Sequence, residues 1–217
     1  MLRSLLLILV CFSFLQGAGD YSLRFALGKA SLSNLPEIVE GENETHPENL
    51  MAYGIDGGYR LSEAVGGWPV DIYLKGAFYY FQEEGTYIQR DPSVITYGKV
   101  YEQEDVYEGI LYFKLYWNID MWKNRLRLGA GNGFSYVSDI PLVEKMEAEF
   151  DRDNQSRLLN YMEFTLDVDI GRLFMYKPLF DTSFGFFIKH RSGIYGTINN
   201  VKEGGYNYNM LYIEKNF

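Results

Sequence analysis

Between residues 161 and 170 the chain alternates without a break. Met162, Phe164, Leu166, Val168 and Ile170 are apolar, while Tyr161, Glu163, Thr165, Asp167 and Asp169 are polar. Successive side chains of a strand point to opposite faces, so this segment has one apolar face and one face carrying three carboxylates. Residues 70–80 repeat the scheme, with Val70, Ile72, Leu74 and Phe78 against Asp71, Tyr73 and Lys75. Residues 108–119 do so again, with Leu111, Phe113, Leu115 and Trp117 against Tyr112, Lys114 and Tyr116. Both signs of charge fall on the polar side, and Lys75, Lys114, Glu163 and Asp167 are expected to pair across an enclosed interior.

Strand patterns of this kind occur at 21–30, 50–62, 69–82, 108–119, 124–137, 157–170, 181–193 and 206–217. Short connections at 66–69, 120–123 and 171–180 alternate with long acidic ones at 31–49, 83–107 and 138–156. Mean hydropathy is slightly polar, at -0.19. A helical membrane protein needs about 20 consecutive apolar residues per span, and no segment after the first 19 residues approaches that. A barrel escapes the requirement, because only alternate residues meet lipid. Aromatics at 17%, with 19 Tyr and 15 Phe, fit the same reading. Trp68, Trp117 and Trp122 cluster at the short-turn end, where an aromatic girdle belongs. Phe217 shares parity with Ile213 and Leu211, a pattern that resembles the signal read by the barrel-assembly machinery, although Lys215 interrupts it. The expectation is an all-β chain folded as one eight-stranded antiparallel transmembrane β-barrel over 20–217; the rival is a soluble β-sandwich or lipocalin-like barrel.

Residues 1–19 have the layout of a cleavable signal peptide. Arg3 supplies the positive start, Leu5 to Leu15 the apolar run, and Gly17, Ala18 and Gly19 the small residues at a cleavage site. The expected destination is the bacterial outer membrane. The one cysteine, Cys11, lies within this leader in a context unlike a lipobox, so the mature chain has no disulfide or thiolate chemistry. A net charge of -9 disfavours nucleic acid as a partner, since phosphate contacts need clustered Lys and Arg. Two histidines are too few for a histidine-rich metal site, and no cofactor motif is visible. The acidic clusters 83–84, 102–105 and 147–153 read as solvated loop charge rather than cation sites.

Chemistry is suggested in one place. Phe184, Phe186, Ile188, His190 and Ser192 share a parity, which puts His190 and Ser192 side by side on the apolar face near one rim. Lys189 and Arg191 have the opposite parity, as does Phe187, an odd residue for a polar interior. The stretch from Lys189 to Asn207, in the last hairpin of a small barrel, resembles the lipid A 3-O-deacylase (PagL-like) family. The resemblance covers about 25 residues. It implies an eight-stranded outer-membrane barrel, with Ser192 as nucleophile, His190 as general base and Glu203 as the orienting acid. It further implies that lipid A, or lipopolysaccharide, in the outer leaflet is the substrate.

The stretch departs from the family pattern twice. Gly193 stands where the family commonly has an asparagine that helps hold the oxyanion, and Glu203 lies eleven residues past Ser192, one fewer than the family spacing. Either Glu203 or one of Asn199, Asn200 and Asn207 orients the imidazole, while Gly193 or the Asn199–Asn200 segment supplies oxyanion donors. Lys189, Arg191 and Lys202 are candidate partners for lipid phosphates. The expected function is serine-dependent hydrolysis of an acyl ester of lipid A. The alternative is a non-enzymatic small barrel serving adhesion, surface protection or membrane structure; a narrow porin is disfavoured, because about eight strands leave an interior filled by side chains.

Overall fold

The computed structural model describes residues 20–89, 99–202 and 205–217. The leader and Glu203 therefore lie outside the described residues. In chain order the strands are β1 (Tyr21–Ser31), β2 (Met51–Ser62), β3 (Val70–Gln82), β4 (Gly85–Gln89), β5 (Lys99–Gln103), β6 (Val106–Met121), β7 (Asn124–Val137), β8 (Leu158–Asp169), β9 (Thr182–Ser192) and β10 (Gly205–Asn216). Eight of them close into an antiparallel barrel in which β1 pairs with β10, leaving no free edge, while β4 and β5 form a separate hairpin. All eight barrel strands fall within two residues of the segments that alternation picks out. The described residues also include three short α-helices, α1 (Leu35–Glu40), α2 (Leu142–Phe150) and α3 (Ile170–Leu173), and two 3-10 turns at Val65–Gly67 and Lys177–Leu179.

The segments expected to be long loops are partly regular. Residues 83–107 contain the β4–β5 hairpin and 138–156 contain α2. Neither has the period of a barrel strand, because each folds as a cap over one mouth. Leu142 and Val143 of α2 join the buried core there. The connections at the opposite mouth are short, with α3 in the β8–β9 turn. Trp68 and Trp117 meet edge to face at that end, ring centroids 6.4 Å apart.

Parity decides everything about the wall. Outward positions present Phe25, Leu27, Ile55, Phe78, Leu111, Phe113, Leu115, Phe164, Leu166, Phe184, Leu211 and Ile213, all exposed. So wide an apolar band suits hydrocarbon, not water.

Inward positions carry charge. The Arg24 guanidinium is paired with Asp56 and lies 2.8 Å from Glu163, whose other oxygen is 2.7 Å from Lys114. Lys75 joins Asp56 (3.0 Å) to Glu214 (2.5 Å), and Arg127 joins Glu214 (3.2 Å) to Asp167 (2.8 Å). Tyr112 and Tyr116 hydrogen-bond into the same network. Phe187 is also inside, where the Arg24 guanidinium sits 4.5 Å above its ring. A cation over an aromatic face explains an apolar residue at an interior position.

Removing one charge from such a network strands its partners in a dry interior, at a cost of about 3–5 kcal/mol. Glu163→Leu, which leaves Arg24 and Lys114 short of a carboxylate, is therefore expected to lower the unfolding free energy in urea and lipid vesicles by about that amount. Phe113→Leu, on the outer wall, should change it by less than half as much.

Candidate active site

His190 and Ser192 are the last two outward positions of β9, just before the long connection to β10. Both are half-buried on the wall. Two residues of strand separate them, about 6.5–7 Å of rise, close enough for a ring and a hydroxyl to meet across one gap. Among the described residues, no hydrogen bond joins the imidazole to the Ser192 hydroxyl.

The imidazole is oriented from behind. His190 Nδ1 lies 2.8 Å from Asn207 Oδ1, the residue directly across the β9–β10 ladder. The amide has a fixed sense, because Asn207 Nδ2 donates to the Ser33 carbonyl at 3.1 Å. Its oxygen must therefore accept from Nδ1–H, and the lone pair of the neutral ring is left on Nε2. That is the tautomer a general base for Ser192 requires. Of the three asparagines that might have done this, Asn207 is the one in place. The Asn199 amide instead donates to Ser156 Oγ (2.8 Å) and the Leu158 carbonyl (3.0 Å), and the Asn200 carbonyl accepts from Asn154 (3.0 Å). Both take left-handed backbone angles, with φ of 53° and 56°, which turn the loop there.

Gly193 has a steric reason to be glycine. A Cβ built there would come 2.1 Å from the Val201 carbonyl oxygen, so no side chain, asparagine included, fits without moving backbone. An oxyanion donor at this position can only be the backbone N–H.

Two expectations are corrected. Lys189 and Arg191 cannot reach a lipid headgroup, because both point inward and are fully buried. Lys189 Nζ is 2.6 Å from Glu108 and donates to Tyr206 Oη at 2.6 Å, beneath the rings of Tyr79, Phe81 and Tyr161. The Arg191 guanidinium is paired with Glu144 of α2 and donates to Ser135 Oγ (3.0 Å) and to the carbonyls of Ser156 (2.7 Å) and Arg157 (2.8 Å). Arg191 sits between His190 and Ser192 in sequence, so this clamp fixes the backbone that carries both. Lys202 is exposed in the loop, its backbone N–H held by Asp153 at 2.7 Å.

Two neighbours of the pair were not singled out from the sequence. Asn160 lies directly across the β8–β9 ladder from Ser192, and Asn132 donates to its side-chain oxygen at 3.2 Å. Asn160 in turn donates to the Gly133 carbonyl at 2.9 Å. Both asparagines occupy outward positions where the alternation calls for apolar residues, and that break in pattern was the available signal. The wall is thus polar in one patch around the His–Ser pair.

No family model matches the chain, and no curated protein matches it. Among solved structures it is similar to the outer membrane enzyme PagL, with a TM-score of 0.54 and 11% identity over 90% of this chain and 99% of that one. It is also similar to Neisserial surface protein A, with a TM-score of 0.49 and 12% identity over 92% of this chain and 98% of that one. The N-terminal β-barrel domain of Pseudomonas aeruginosa OprF gives a TM-score of 0.41 and 11% identity over 93% of this chain and all of that one. At these identities the likeness is one of fold: the protein is an eight-stranded β-barrel of the outer-membrane type.

The cap above the site has its own electrostatics. Glu83, between β3 and β4, accepts from the Leu142 backbone N–H at the start of α2 (2.8 Å), from Gln103 (3.2 Å) and from Tyr208 (3.1 Å). Burial nevertheless pushes its carboxyl up to about 7 from 4.5. The folded cap thus holds this proton more tightly than the unfolded chain does, so its stability is greatest below about pH 4.5 and declines as pH rises through 7. Protease cleavage within 138–157 is expected to quicken between pH 5.5 and 8, and Glu83→Gln should flatten that dependence. Arg191→Met, which strands Glu144, should speed the same cleavage at every pH while the barrel stays folded.

Proposed function

We propose that the protein is an outer-membrane serine esterase that removes an ester-linked acyl chain from lipid A. The observation that supports it most is the imidazole held by Asn207 beside Ser192, on a wall that faces lipid rather than a lumen. A histidine and a serine there have little structural use, since the barrel's charges pair inside.

The chemistry runs as follows. Ser192 Oγ attacks the ester carbonyl carbon while His190 Nε2 takes the hydroxyl proton, and the Asn207 amide holds the imidazolium that forms. The developing oxyanion takes N–H donors from the Gly193 backbone or the neighbouring loop. Collapse breaks the bond to the sugar oxygen, which leaves as the alcohol with the proton from His190. Water, activated by the same ring, then releases the fatty acid and restores Ser192. Glu203, eleven residues past Ser192 in the sequence, is the alternative orienting group, acting with or in place of Asn207. Lys202 is the remaining candidate among the three for a lipid phosphate.

The wall also offers room for an acyl chain. A groove of about 670 Å³ lies on the outer face, lined by Phe25, Leu27, Phe78, Phe184, Leu211 and Ile213. It begins at Leu211, four residues below Asn207 on β10, so a chain attached to an ester at Ser192 would run down into it. The substrate would never enter the lumen.

The non-enzymatic reading keeps one observation in its favour, the missing hydrogen bond between Ser192 and His190. Apo hydrolase sites often close only around substrate, so the test is activity. Lipid A from cells expressing the protein should lose one acyl chain by mass spectrometry, and Ser192→Ala should abolish the loss while folding normally. Asn207→Leu and Glu203→Gln then assign the orienting group: the variant with the larger fall in kcat, about 10²-fold or more, carries it. Unchanged lipid A with the wild-type chain would reject the hydrolase.

A further inference from the structure

The β8–β9 connection at the short-turn mouth carries Leu173, Phe174, Met175 and Tyr176 in unbroken succession, each more than half exposed. A run of four exposed apolar side chains is out of place on a surface that faces water. The backbone beneath them is tightly built. Asp169 accepts from the backbone N–H of Arg172 (2.9 Å) and of Asp181 (3.0 Å), which closes the connection at both ends. The Tyr176 N–H donates to the Gly171 carbonyl at 2.8 Å, and a Cβ at Gly171 would fall 2.0 Å from the Leu179 carbonyl oxygen. A fixed turn thus holds these four side chains outward.

The turn folds back against the outside of the barrel. Thr182 and Lys215 face each other across the β9–β10 ladder, both at outward positions. Thr182 is nevertheless only 4% exposed, and Lys215 Nζ donates to the Phe180 carbonyl. This accounts for the lysine that interrupts the apolar run before Phe217: it ties the turn to the outer wall. Ile170 ends the outward series of β8 and opens α3, so Leu173 and Phe174, three and four residues on, share its helical face. The exposed run therefore continues the lipid-facing band past the last wall pair, Val168 and Phe184.

We infer that this turn is an interfacial anchor, seated in the phospholipid headgroup layer of the leaflet on the short-turn side, which faces the periplasm in barrels of this type. Full immersion in hydrocarbon would leave turn backbone groups without partners, and full exposure to water would leave four apolar side chains wet. The headgroup layer avoids both costs. Tyr176 suits it as an amphipathic ring, and the exposed Lys177 can lay its stem along the apolar run with its ammonium among phosphates. Trp122, fully exposed at the tip of the β6–β7 hairpin, lies at the same mouth. The inference is independent of ester hydrolysis.

The test places one tryptophan at position 174. Phe174→Trp would be made in a chain carrying Trp68→Phe, Trp117→Phe and Trp122→Phe, then folded into vesicles of phosphatidylethanolamine and phosphatidylglycerol. Its emission should be blue-shifted from that of aqueous tryptophan, with quenching by acrylamide roughly threefold weaker. Lipids brominated near the glycerol backbone should quench it more than lipids brominated near the chain ends. Adding Leu173→Asp should raise acrylamide quenching about twofold, with the heat-dependent gel mobility of the folded barrel unchanged. Emission and acrylamide access like those in water would overturn the inference and leave the run to a soluble periplasmic partner. Stronger quenching by chain-end bromines, no response to Leu173→Asp in the folded barrel, or shielding that fades as protein is diluted with lipid, the mark of a second copy, would overturn it equally.

Discussion

The structure depends on how six interior cations find six carboxylates. Arg24, Lys75, Lys114, Arg127, Lys189 and Arg191 face Asp56, Glu163, Asp167, Glu214, Glu108 and Glu144 inside a cylinder closed to water and lipid. An eight-stranded barrel has too little interior for a water channel, so its core must be packed by side chains. When these are charged, each must meet its opposite at short range or the desolvation cost goes unrepaid. All eight barrel strands contribute charges to these pairs, so their register is tied to them, since a slip of one residue would carry these charges into hydrocarbon.

The same constraint reaches the candidate site. Arg191 belongs to the interior network, yet it separates His190 from Ser192 along β9. Its four partners come from β7, α2 and the segment before β8, so the strand end is held from three directions. Catalytic groups need their supporting shell locked, and here the lock is the inward neighbour of the outward pair. Through Glu144, Arg191 thus joins the cap to the strand end that carries His190 and Ser192.

Much of this was legible from residues alone. The strands of the barrel follow from period-two alternation, which survives because lipid outside and ion pairs inside both punish exceptions. The outward direction of His190 and Ser192 followed by the same count. The parity also placed Lys189 and Arg191 inward, but their charge suggested headgroups; only the positions of Glu108 and Glu144, 81 and 47 residues away, show what they pair with. Asn207 could be named only as one candidate among several, because its contact with His190 depends on an amide fixed by the Ser33 carbonyl, 174 residues distant. The cap was illegible for a related reason: α2 and the β4–β5 hairpin are held by contacts to the barrel mouth and carry weak periodicity of their own.

The central claim is the direction of the side chains at the end of β9. The mature chain lacks cysteine if the leader is removed, so single cysteines at positions 186 to 192 can each carry a nitroxide spin label in vesicles. Labels at 186, 188, 190 and 192 should collide with dissolved oxygen as lipid-exposed sites do, while those at 187, 189 and 191 should be shielded from both oxygen and aqueous nickel. A reversed phase, or no period of two through 190 and 192, would contradict the account.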